Sequence, residues 1–128
     1  MLKRAKLTEE QARYAMEHGE FGEDVRTADA NVAVVLTQGW CPQWTSMNVW
    51  LGFMKRRGNP KELDVTVFEF VYDAVDFFGE FLAFKERRFG NDQIPYIRYY
   101  ADGALVSESN YTTSKDFLRR FEEAHRVG

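Results

Sequence analysis

The order of apolar and polar positions divides the chain into strands and helices that alternate. Thr8-Glu9-Glu10-Gln11 has the form of a capping box, and Leu7, Ala12, Ala15 and Met16 follow at roughly helical spacing. With Gly19 as the stop, Thr8 to His18 is predicted to be a short amphipathic helix. Glu20 to Ala30 is polar and less defined, with an edge strand expected around Phe21 to Val25. Asn31 to Thr37 is an apolar, β-branched run of the kind carried by a strand buried on both faces. Pro42 then opens an apolar helix through Trp44, Met47, Val49, Trp50, Leu51 and Met54, closed by Lys55-Arg56-Arg57-Gly58 and a Gly58-Asn59-Pro60 turn.

Asp64 to Tyr72 alternates as a second strand. Asp76 to Phe89 returns to helical spacing through Phe77, Phe81, Leu82, Phe84 and Phe89. Ile94 to Tyr100 is a third strand with a proline at its start. Ala101-Asp102-Gly103-Ala104 is a hairpin turn of the Asp-Gly kind, and Leu105 to Tyr111 returns antiparallel. Thr113 or Ser114 caps a final helix with Phe117, Leu118 and Phe121 facing inward. The result is a βαβ unit followed by a ββα unit, without repeat or linker, in one domain of 128 residues, with 1–30 an N-terminal helix and connecting segment.

Composition narrows the partners. Aromatic residues make up 16% of the chain, which argues for a packed body, and the formal net charge of −3 gives no basic excess for nucleic acid. The runs Lys55-Arg56-Arg57 and Lys85-Glu86-Arg87-Arg88 read as solvated helix ends, where cations suit the dipole. No segment is long and apolar enough to cross a bilayer, and the basic start, Met1 to Lys6, lacks the apolar run of a secretory signal, so the expected compartment is the cytoplasm. Trp44, Trp50, Phe77, Phe81 and Phe84 stand at helical spacing and read as core. The acid pairs Glu122-Glu123 and Asp73/Asp76 read as surface. His18 and His125 lie near opposite ends and are expected to be exposed, and no metal site is expected.

Cys41 is the only cysteine, so no disulfide closes within one chain. It stands at the predicted start of a helix, where the dipole and free N–H groups favour the thiolate, the form that attacks disulfides. Arg98 and Arg88 are cations that the fold could bring to it.

Trp40-Cys41-Pro42 at a strand-to-helix turn, Ile94-Pro95 opening a later strand, and the Asp-Gly hairpin before a last amphipathic helix together resemble the thioredoxin superfamily from about Asn31 to Ala124. The resemblance implies an α/β thioredoxin-like fold, a central mixed sheet of about four to five strands flanked by helices. It makes Cys41 the nucleophile and Pro95 a proline in cis that faces it. It makes Trp40 and Tyr111 the rim, and puts Pro42 and the peptide groups of Ile94 and Tyr96 along a substrate groove. The departures are equally specific. Trp44 holds the place of the resolving cysteine, Val35 that of a buried acid, and Asn110-Tyr111-Thr112 that of a glutathione-binding segment, with Tyr111 where thioredoxins have glycine.

These features give an expected function of monothiol thiol–disulfide exchange through Cys41, with a protein or small-molecule disulfide as partner. No bound cofactor is expected, and an external thiol such as glutathione would resolve the mixed disulfide. The competing expectation is a redox-inactive binding module that uses the Trp40/Pro95/Tyr111 groove. A third is a thiol sensor or a disulfide-linked dimer.

Overall fold

The computed structural model describes residues 1–125. It contains β1 (Leu2–Lys6), α1 (Glu9–His18), α2 (Glu23–Arg26), β2 (Asn31–Thr37) and α3 (Pro42–Arg57). These are followed by β3 (Val65–Val71), a 3-10 turn (Tyr72–Ala74), α4 (Phe78–Arg88), β4 (Tyr96–Ala101), β5 (Ala104–Ser109) and α5 (Ser114–Ala124). The strands form one mixed sheet in the order β1-β3-β2-β4-β5. β1 and β2 run parallel to β3, while β4 runs antiparallel to both β2 and β5.

The period-2 geometry of the strands sends alternate side chains to two cores. Ala33 and Val35 of β2 meet Trp44, Met47, Leu51 and Met54 of α3 and Phe117, Leu118 and Phe121 of α5. Val32, Val34 and Leu36 meet Ala12 and Ala15 of α1, Val25 of α2 and Phe81 of α4 on the other face. All seven residues of β2 are buried, which is why its sequence is apolar without alternation. The capping box at Thr8 and Gln11 starts α1, and Gly19 at φ 81° ends it. Asp102 and Gly103, both at positive φ, make the β4–β5 turn.

The structure departs from expectation before residue 31. Leu2–Lys6 is a strand on the sheet edge, in register with Val65–Glu69. Only Leu2 of it is buried, so its polar remainder hides the strand pattern. No strand forms at Phe21–Val25. Gly22 starts the one-turn α2 instead, which puts Phe21 and Val25, four residues apart, into the same core.

Candidate functional site

β2 delivers the chain to Gln38-Gly39-Trp40, and Cys41 becomes the N-cap of α3 with Pro42 in its first turn. The local turn holds itself: the Cys41 N–H donates to the Gln38 carbonyl at 3.2 Å. The Gly39 N–H donates to Asp73 Oδ1 at 2.9 Å, tying the turn to the 3-10 segment after β3. The Trp40 indole N–H donates to Gln38 Oε1 at 2.6 Å, and Gln38 Nε2 donates to the Tyr72 hydroxyl at 3.2 Å. An exposed indole is thereby anchored to a buried phenol, whose pKa burial pushes above the ordinary value.

Cys41 is 4% exposed, and its Sγ lies 3.9 Å from the Ile94 carbonyl oxygen. The Ile94–Pro95 peptide is cis. The thiol therefore faces the loop before β4, with Trp44 buried one turn behind it in the same core. Trp40 is 67% and Tyr111 41% exposed, and the Tyr111 hydroxyl lies 3.3 Å from Ser46 Oγ on α3. Pro42 is exposed, Ile94 half-buried and Pro95 buried.

Not every candidate gathers here. The Tyr96 side chain is buried on the far face, donating its hydroxyl hydrogen to Glu108, so only its backbone stands near the turn. Arg98 lies on that same far face, where it pairs with Glu20 at 2.7 Å, donates to the hydroxyls of Tyr96 and Tyr100, and lies over the Phe89 ring. Arg88 donates to the Gly19 carbonyl at 3.1 Å. Neither arginine serves the thiol. Val35 is buried against α3 and brings no acid beneath Cys41. His18 and His125 are exposed, and no cluster of three metal-ligating side chains converges among the described residues.

Sequence reasoning missed the device that holds the Ile94–Pro95 loop. Lys85 is not a solvated helix end; it is fully buried, and its Nζ donates to Gln93 O at 2.7 Å, Asn91 O at 3.0 Å and Asn91 Oδ1 at 3.3 Å. Burial pulls its pKa down to about 8. Asn91 and Asn110 exchange side-chain hydrogen bonds at 3.0 and 3.1 Å, and Asn110 also donates to the Pro95 carbonyl at 3.2 Å. One signal was present: Lys85 falls four residues after Phe81 on the inward face of α4. The asparagine pair spans nineteen residues and has no local signature.

No family model and no curated protein matches the chain. Its fold is nevertheless similar to solved thioredoxins. Thioredoxin O1 from Arabidopsis thaliana, in the oxidized state, matches at TM-score 0.60 and 14% identity, over 95% of this chain and 96% of that one. A mutant thioredoxin from Halobacterium salinarum matches at TM-score 0.63 and 13% identity, over 98% and 94%. Thioredoxin f from spinach chloroplast matches at TM-score 0.57 and 12% identity, over 98% and 94%. At these identities the likeness establishes the fold.

Proposed function

On the premise of a thioredoxin fold with a single cysteine, we propose that this chain takes part in monothiol thiol–disulfide exchange through Cys41. The observation that carries the reading is the position of Sγ at the N-cap of α3, facing the Ile94 carbonyl beside Pro95. The Cys41 thiolate attacks one sulfur of a substrate disulfide, a Cys41–substrate disulfide forms, and the other sulfur leaves as a thiolate. An external thiolate of the glutathione class then attacks the substrate sulfur, and Cys41 leaves as the thiolate it began as. The substrate ends joined to the external thiol, and Cys41 undergoes no net oxidation. A second internal cysteine is absent from the sequence, so reduction of the thioredoxin dithiol type is outside its reach.

Trp40, Pro42 and Tyr111, exposed around the turn, and the backbone of Ile94 to Tyr96 would contact the incoming partner. A reducing compartment such as the cytoplasm supplies the external thiol. No helix among the described residues is long and apolar enough to cross a membrane.

The test is mass spectrometry of the reduced native protein after incubation with glutathione disulfide. One glutathione adduct on Cys41, released by added glutathione and missing in Cys41→Ser, is expected. An adduct that forms only in denaturant would overturn the reading. The 4% exposure of Cys41 favours a second reading in that event, a binding module in which Cys41→Ser leaves partner affinity unchanged and Trp40→Ala weakens it.

A further inference from the structure

We propose that the cleft between edge strand β1 and the C-terminal half of α3 binds a multiply charged phosphate-type anion. The cleft, about 500 Å³ and open to solvent, is lined by Arg4, Lys6, Gly52, Lys55, Arg56 and Glu69, together with Ala5. It gathers four cations and one carboxylate in a protein whose formal net charge is −3. The carboxylate is already committed, since Glu69 accepts from Arg4 Nε and, at 2.9 Å, from Arg4 Nη2. No acid pairs with Lys6, Lys55 or Arg56 among the described residues.

Gly52, one turn before Arg56, lies beside both guanidinium groups of the cleft. A Cβ there would stand 3.3 Å from Arg56 Nη1 and 3.7 Å from Arg4 Nη1, so those two nitrogens are at most 7.0 Å apart. Glu69 offsets the charge of Arg4, which leaves Lys6, Lys55 and Arg56 as cations without a carboxylate partner among the described residues. Arg4 is also held in place by Glu69 and Asn48, so part of the ordering needed to bind a ligand is already done. The Arg56 guanidinium fork matches phosphate oxygens in geometry as well as charge, and the ammonium groups of Lys6 and Lys55 in the same cleft add point charges for a chain of two or three phosphates.

An acidic peptide adding as a strand to β1 is the rival occupant. Lys3 and Lys6 on that edge are the kind of charged side chain that discourages strand addition, so the geometry favours the compact anion. The cleft is independent of Cys41, which sits at the opposite end of α3, roughly 16 to 22 Å away along the helix.

Isothermal titration with inorganic tripolyphosphate at about 0.15 M ionic strength tests the site. Saturable one-to-one binding is expected, weakened at least ~10-fold by Arg56→Glu and by Lys55→Glu. Lys115→Glu makes the same charge change at the start of α5 and is expected to leave affinity within ~2-fold. Adenosine triphosphate in a parallel titration separates the sources. Affinity equal to or above that of tripolyphosphate points to a nucleotide, and lower affinity to the inorganic chain. Absence of saturation, an equal loss in Lys115→Glu, or tighter binding of a polyglutamate peptide overturns the proposal.

Discussion

Replacing Lys85 with methionine isolates the energetics of the loop that faces the thiol. The ammonium is fully buried against Asn91 and Gln93, 5.5 Å from the centre of the Tyr96 ring. At about pH 7 the substitution leaves the Asn91 and Gln93 carbonyls without their charged donor, a loss of about 1–3 kcal/mol. The pH dependence is the sharper test. The folded-state pKa, pulled down to about 8 by burial, lies below the unfolded value. Between the two the unfolded chain binds more protons, so stability rises with pH through that window. The contribution is complete above about pH 10.4 and is lost as pH falls through about 8; the full span is about 3 kcal/mol. From about pH 7 to about pH 9.5 the wild type should gain about 2 kcal/mol over Lys85→Met, because the methionine variant lacks this titration. Urea unfolding of both proteins under reducing conditions measures the difference, and taking it between the two cancels the shared tyrosine titrations. Parallel stability profiles across that range would refute the burial argument.

Two further outcomes are expected. Burial raises the pKa of Asp116, but hydrogen bonds from Thr112, Arg120 and Arg119 outweigh it and hold the carboxyl at about 2. Asp116→Asn is therefore expected to lower stability by about 1 kcal/mol at neutral pH, discounted for partial exposure, with the gap to wild type closing as pH falls from about 4 to about 2 in acid unfolding. The buried Trp50 indole N–H has no acceptor among the described residues, while the ring packs edge-on against Phe117 at 5.3 Å. Trp50→Phe keeps a ring and removes the orphan donor, so thermal unfolding should show no loss and up to about 1 kcal/mol of gain; a loss above about 2 kcal/mol contradicts this.

Much of the fold was legible because its buried elements carry strong patterns. β2 is apolar throughout, Pro42 marks the start of α3, and Asp102-Gly103 needs the positive φ that those residues tolerate. The thiol's place at a helix start was legible for the same reason. β1 was not, because a parallel edge strand buries only one of its five residues well and owes its existence to β3, more than fifty residues away. α2 does not announce itself as a helix because Phe21 and Val25 are a one-turn spacing inside a segment too short to show a period. Lys85 was hidden by its own charge within a basic run. The Arg98 network was equally hidden, since nothing near Arg98 in sequence announces Glu20.

The tether from Trp40 through Gln38 to Tyr72 gives the site its own optical reporter. Of the chain's three tryptophans, Trp40 is 67% exposed while Trp44 is 8% exposed and Trp50 half-buried, so a water-soluble quencher such as iodide dims mainly the indole beside the thiol. A disulfide partner docked over Cys41 would shield that ring, making occupancy of the site readable from the unlabelled protein's emission.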